Sequence, residues 1–70
     1  MKAGFIVRKL REENGFSQES FARHIDLDRG YYGGIERAEK PLSLPKIRQI
    51  ANGLGLKTWE LVKILEENDN

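Results

Sequence analysis

The chain has 70 residues, 39% apolar and 33% charged, with no cysteine and a formal net charge of +1. A chain this short makes one domain, buries only about 60% of the surface its unfolded form exposes, and has a globular composition rather than a disordered or membrane-embedded one. The missing cysteines exclude a disulfide framework and a thiolate metal site, and Ala3 to Val7, cut off by Arg8 and Lys9, is too short for the apolar segment of a signal peptide. An unprocessed cytoplasmic protein is therefore expected.

Apolar positions recur at intervals of three and four almost throughout, and no stretch alternates with the period of two that a half-buried strand needs. An all-α fold follows, a compact five-helix bundle. Ile6, Val7 and Leu10 form the stripe of a first helix that Asn14 and Gly15 can stop. In FSQESFARHI, Ser17 is a good N-cap and Phe16 before it can staple onto Phe21. Leu27, Asp28 and Tyr32 repeat that arrangement for a third helix, and Leu42, Ser43 and Ile47 for a fourth, with Pro45 tolerated in its first turn. This fourth helix runs from Leu44 with Ile47, Ile50, Ala51 and Leu54 on one side, and the segment Gly53 to Gly55 ends it. A last helix, over about residues 58–67, carries Leu61, Val62 and Leu65 before the polar tail EENDN. Residues 1–70 thus read as one domain without linker, repeat or low-complexity segment. Only Asp26 and Leu27 separate Ile25 from Asp28, so the second and third helices must meet across a tight turn, the spacing of a helix-turn-helix.

The stretch YYGGIER, residues 31–37, places two adjacent glycines inside the third helix, where each costs roughly 1 kcal/mol relative to alanine. At about 100° per residue from Asp28, Arg29, Gly30, Gly33, Gly34 and Arg37 share one sector about 140° wide, while Tyr32 and Ile35 point elsewhere, toward the core. An arginine at each end of a bare helix face suits close approach to base edges in a DNA major groove. Two other readings remain: a two-stranded hairpin around a Gly-Gly turn, and glycines that let another helix pack closely. Coordinates placing all three glycines inside the folded body would exclude the groove reading. The net charge by itself argues for no particular partner, but the basic character lies in the first two thirds, since residues 1–48 hold ten lysines and arginines against seven acids, whereas residues 49–70 hold two against four.

The run FSQESFARHIDLDRGYYGGIER, with RKLREENG before it and LSLPKIRQIANGLGL after it, resembles the Cro/cI-type, or XRE-like, helix-turn-helix regulators with a lambda-repressor-like fold. The resemblance extends from about Ile6 to Leu61 and is most specific in SQESFA and LDRGYYGGIER. LDR followed by tyrosine and GIER looks most like the controller proteins of restriction-modification systems, which are small dimeric regulators. The family usually has glycine in the turn, where this chain has Asp26; aspartate tolerates a left-handed conformation better than most residues.

The resemblance implies residue roles. Arg29, Gly30 and Gly34 match base-reading positions; arginine can donate two bonds to guanine, whereas the two glycines lack the side chains that relatives often use there. Tyr31 and Gly33 lie where a base or the backbone is touched, and Tyr31 is equally suited to packing against the domain. Gln18, Arg37, Lys40, Ser43 and Lys46 match phosphate contacts, which position the protein and make binding salt-dependent. Arg11 and Glu36 match a structural ion pair tying the first helix to the third. One such module contacts few base pairs, so a homodimer on a roughly palindromic operator is expected, with half-sites about 34 Å apart. Trp59, Val62, Ile64 and Leu65 in the last helix are the candidate dimer interface; the other reading has Trp59 closing the monomer core.

The implied function is that of a sequence-specific regulator binding double-stranded DNA, with a restriction-modification controller as its narrower form. The alternative is an antitoxin or protein-binding adaptor on the same fold. An enzyme is not expected: His24 is the only histidine, and GLGLKT, residues 53–58, lacks the spacing of a phosphate-binding loop. No cofactor, metal, membrane or small-molecule ligand is expected.

Overall fold

A computed structural model describes residues 3–68, which form five helices and no strand. They are α1 (Ala3–Glu13), α2 (Gln18–His24), α3 (Arg29–Glu36), α4 (Leu44–Gly53) and α5 (Thr58–Glu67). YYGGIE is helical, which removes the hairpin reading. Among the described residues no helix is long and apolar enough to cross a membrane.

The helix starts follow the local chemistry of the chain. Ser17 caps α2 by accepting from the Ser20 amide at 3.0 Å, while the Ser20 hydroxyl accepts from the Ser17 amide at 2.9 Å. The expected staple forms, with the Phe16 and Phe21 rings 5.1 Å apart. Asp28 caps α3 through a 3.0 Å bond from the Tyr31 amide. Ser43 occupies the N-cap of α4, but its hydroxyl makes no cap bond. Pro45 at the second helical position has no amide to donate, which removes one of the two groups a cap usually binds.

The helix ends share one geometry. After α1, α2, α3 and α4 the chain reverses through a left-handed residue: Gly15 (φ 81°), Asp26 (φ 60°), Ala38 (φ 62°) and Gly55 (φ 74°). At each, the left-handed residue and its successor donate back into the last turn, as in Ala38 to Ile35 O (3.1 Å) and Glu39 to Gly34 O (2.7 Å). Asp26 therefore takes the left-handed conformation the turn requires. Ala38 does the same without any sequence signal, because alanine is ordinarily a helix former.

All five helices contribute to the core, in which Val7, Phe21, Tyr32, Ile35, Ile50 and Leu61 have the largest fully buried side chains. Tyr32 and Ile35 point inward as expected. The α1 stripe differs from expectation: Ile6 and Leu10 are only partly buried, and the inward face is Ala3, Gly4, Val7 and Arg11. The reason lies in how closely α1 crosses α3. A Cβ on Gly4 would lie 2.6 Å from the Ile35 carbonyl oxygen and would also collide with that of Glu36. Gly53, expected only to end α4, likewise packs against α2, where a Cβ would come within 3.1 Å of the Phe21 ring and run into Ile25. In α5, Leu61 closes the core while Trp59 stays 63% exposed, so Trp59 does not close the monomer. The helix continues through Glu66 and Glu67, the first residues of the tail EENDN; Asp69 and Asn70 lie outside the described residues.

Ala38→Gly should stabilise the domain. A left-handed L-residue costs roughly 1–2 kcal/mol, and the extra unfolded-state entropy of glycine returns about 0.5–1 kcal/mol of that. A thermal melt should therefore shift upward by a few degrees, about 4–8 °C per kcal/mol in a domain of this size. An unchanged or lower midpoint would show that the helix end carries no strain.

Candidate nucleic-acid interface

The α2–turn–α3 unit is anchored to α1 by one carboxylate. Arg11 projects inward from α1 and donates from Nε to Glu36 Oε2 at 2.8 Å and from Nη2 to Glu36 Oε1 at 3.2 Å. Its third group, Nη1, donates to the Phe16 carbonyl at 2.7 Å, fixing the loop that leads into α2. Gln18 Nε2, in the first turn of α2, donates to Glu36 Oε1 at 3.1 Å. With side chains only 7% and 3% exposed, Arg11 and Glu36 form a buried, bidentate pair, as expected.

Burial acts to raise the Glu36 carboxyl, but the bonds from Arg11 and Gln18 and the nearby Tyr32 hydroxyl outweigh it and hold it below the ordinary carboxylate value. The Arg11 guanidinium is held above its ordinary value, chiefly by its bond to Glu36. The buried Tyr32 hydroxyl lies close enough to favour the ionised carboxylate yet too poorly placed to form a hydrogen bond with it. Its phenol is pushed far upward, first by burial and then by the Glu36 charge, and stays neutral.

This anchoring presents the first turn of α3 to solvent. Arg29 and Gly30 are exposed, and among the described residues Arg29 makes no ion pair. A Cβ at position 30 would meet one atom within 4 Å, the Asp28 carboxylate oxygen at 3.2 Å. Gly33 and Gly34 depart from the expected bare face, because both are buried. Their cover is not the core. Polar side chains fold back over them: Arg37 and Gln18 over Gly33, Lys40 over Gly34. The sector faces outward as its spacing predicts, but a glycine leaves a hollow on a helix, and long side chains nearby fill it.

The remaining candidates surround this surface. Tyr31 is half-buried, with the Lys46 ammonium 5.4 Å and the Lys40 ammonium 5.9 Å from its ring centre, within cation–π range. Periodicity gives no sign of that grouping, which depends on the loop between α3 and α4. Arg37 donates to Glu39 at 3.2 Å, an exposed pair of little energetic weight. Ser43 is exposed at the start of α4. Arg8, Arg11, Gln18, Glu36 and Arg37 line an open recess of about 370 Å³ beside α3. Sequence spacing does not single out Arg8; with Arg37 it gives the recess two cations on flexible stems. His24 stacks on Phe16 at 4.9 Å, an exposed residue covering the staple.

The C-terminal candidates do not share one face. At about 100° per residue, Trp59 and Val62 are about 60° apart, whereas Ile64 lies about 140° from Trp59 and Leu65 packs against the core. Leu44 is also exposed, at 64%, and lines a recess with Pro45, Arg48, Gln49 and Thr58, the residue before Trp59.

Comparison with known proteins agrees with this geometry. Residues 7–61 match the model of a family described as helix-turn-helix. The chain is 43% identical over 68 residues to the control protein C.MunI of a Mycoplasma species, spanning 96% of this chain and 92% of that protein. The restriction-modification controller protein C.AhdI from Aeromonas hydrophila superposes with a TM-score of 0.79 at 42% identity, over 86% of this chain and 91% of the other. C.Esp1396I bound to a 19-base-pair DNA duplex superposes with a TM-score of 0.81 at 33% identity, over 94% and 88% of the two chains.

The anchor makes stability acid-sensitive in a defined direction. Since the Glu36 carboxyl is depressed in the folded state, its stabilisation is complete above the ordinary value of about 4.3 and is lost as pH falls through the folded value. Urea unfolding between pH 6 and 3 should show this decline in the wild type and a shallower one in Glu36→Gln. At neutral pH that variant should lose on the order of 3 kcal/mol, because Arg11 is left without its counter-charge. Equal acid slopes would show that another carboxylate carries the dependence.

Proposed function

The chain belongs to the helix-turn-helix family, and we propose that it is a DNA-binding regulator acting as a cytoplasmic homodimer, in the manner of a restriction-modification controller. The observation that carries this reading is the first turn of α3. Capped by Asp28 and locked at its far end through Glu36, it turns an exposed, unpaired Arg29 and a bare Gly30 outward on the second helix of the motif. An arginine so placed can donate two bonds to the O6 and N7 of one guanine, worth about 1–3 kcal/mol of discrimination. Gly30 leaves room for the helix to approach base edges, and Tyr31 adds a hydroxyl at the border of that surface.

Gln18, Arg37, Lys40, Ser43 and Lys46 then take backbone phosphates on either side, which sets register rather than sequence. Relatives support the assignment: C.MunI is a control protein, and C.Esp1396I has a solved structure bound to a 19-base-pair DNA duplex. A homodimer would supply the second half-site, with Trp59 and Val62 of α5, extended by Leu44, as its contact; an exposed tryptophan beside other apolar groups is a typical interface anchor. Ile64 and Leu65 would flank that contact rather than form its centre.

Competition between a duplex selected from a random library and a scrambled duplex tests the reading, and separates it from a protein-binding adaptor, which would show no specificity ratio. Arg29→Ala should flatten the preference for the selected duplex, by roughly one to two orders of magnitude. Lys46→Ala should weaken both duplexes alike and lower the salt slope by about one. Equal losses on both duplexes for Arg29→Ala would remove it as the reader. Trp59→Asp should shift sedimentation toward monomer; an unchanged oligomeric state would move the interface elsewhere.

A further inference from the structure

The three glycines of α3 meet different surroundings. A Cβ on Gly30 would meet the Asp28 carboxylate at 3.2 Å, whereas the nearest atoms to one on Gly34 belong to the stem of Lys40, at 2.6 Å from Cγ, 3.5 Å from Cβ and 3.7 Å from Cδ. A Cβ on Gly33 would meet Arg37 Nη1 at 3.0 Å and Gln18 at 3.2 Å from Oε1 and 3.5 Å from Cδ. The three nearest contacts at each position all come from these side chains and none from the core. The closest neighbours of these glycines are therefore not a packed helix, and the side chains covering them are three of those assigned to phosphate.

The backbone delivers Lys40 to this place. The left-handed Ala38 reverses the chain at the end of α3, and the amides of Glu39 and Lys40 both donate to the Gly34 carbonyl, at 2.7 and 3.2 Å. From there the Lys40 stem runs back along α3 over Gly34, and its ammonium ends 5.9 Å from the centre of the Tyr31 ring, one turn nearer the start of the helix. Lys46 reaches the same ring from α4. Two ammonium groups from different segments thus converge on one aromatic ring, and the hollow at Gly34 lets one of them lie flat.

We propose that Gly33 and Gly34 are positioning residues: hollows in the recognition helix that seat Arg37 with Gln18, and Lys40, in the arrangement that meets the DNA backbone. A long side chain ordered before binding loses less rotamer freedom when it engages a phosphate, so seating tightens binding without a new contact. The proposal rests on the DNA-binding reading and adds to it that these two glycines act through their neighbours and not by exposing the backbone to base edges.

A double-mutant cycle on Gly34→Ala and Lys40→Ala tests it, with fluorescence anisotropy on the selected and the scrambled duplex across a salt series. Gly34→Ala should weaken both duplexes by the same factor, about three- to tenfold, and lower the salt slope by up to about one. In the Lys40→Ala background it should cost less than about twofold more, since the seat then has no occupant. Its thermal midpoint should stay close to that of the wild type, because the helix preference of alanine over glycine is set against the shift that a Cβ 2.6 Å from Lys40 Cγ forces on that stem. Gly33→Ala with Arg37→Ala repeats the cycle at the second seat. Loss confined to the selected duplex, an undiminished loss in the Lys40→Ala background, unchanged affinity, or failure of both alanine variants to fold would each overturn the proposal. Wild-type protein that binds no duplex would instead overturn the DNA-binding reading beneath it.

Discussion

The Glu36 carboxylate is the constraint on which the arrangement of the first three helices depends. It accepts from Arg11 of α1 and Gln18 of α2 while standing at the end of α3, so one charged group sets three helix positions. A buried ion pair is ordinarily a doubtful source of stability, because desolvation opposes its Coulomb gain. Here the losses are limited: each nitrogen of the guanidinium has an oxygen partner, and both carboxylate oxygens are engaged. What the pair contributes beyond energy is direction, since a bidentate guanidinium fixes angle as well as distance. Gly4 completes the joint by letting α1 sit directly on the carbonyls of Ile35 and Glu36. A bulkier residue there would lift α1 and lengthen the ion pair that orients α3.

Much of this is legible in the chain. Caps and staples are local, so Ser17, Asp28 and the Phe16–Phe21 pair can be read from spacing alone, and they fix the starts of α2 and α3. The ion pair can be expected only through resemblance, because nothing in a single sequence links positions 11 and 36. What stays hidden concerns residues whose behaviour is set by neighbours distant along the chain. Gly4 and Gly53 carry no hydrophobic signal, yet each sits where a neighbouring helix leaves no room for a Cβ. Ala38 reads as helix and instead ends one, because the hydrogen bonds back to Ile35 and Gly34 outweigh its own preference. The cover over Gly33 and Gly34 is hidden for a related reason: a helical wheel places backbone positions but says nothing about where the side chains of Gln18, Arg37 and Lys40 come to rest.

The two halves of the molecule carry different kinds of unfinished surface. Around α3 the exposed groups are cations on flexible stems, and around the starts of α4 and α5 they are Leu44 and Trp59, apolar and unpartnered. A polyanion satisfies the first, and burial against protein satisfies the second. Of these two apolar groups, Leu44 lies in the basic residues 1–48 and Trp59 in the acidic residues 49–70.

Economy of size explains why fold and surface share atoms. A domain with so small a core cannot devote separate residues to stability and to recognition, and Gln18 shows the consequence: its amide nitrogen holds Glu36 while its oxygen end lies over Gly33. Any anion drawn to the first turn of α2 would approach the same side chain that braces α3. The orientation of the outward helix and the placement of the groups around it are therefore coupled through short, direct contacts. Substitutions at this junction should rarely affect one without the other, whereas Arg29, reached by none of these bonds, can be exchanged while the scaffold stays intact.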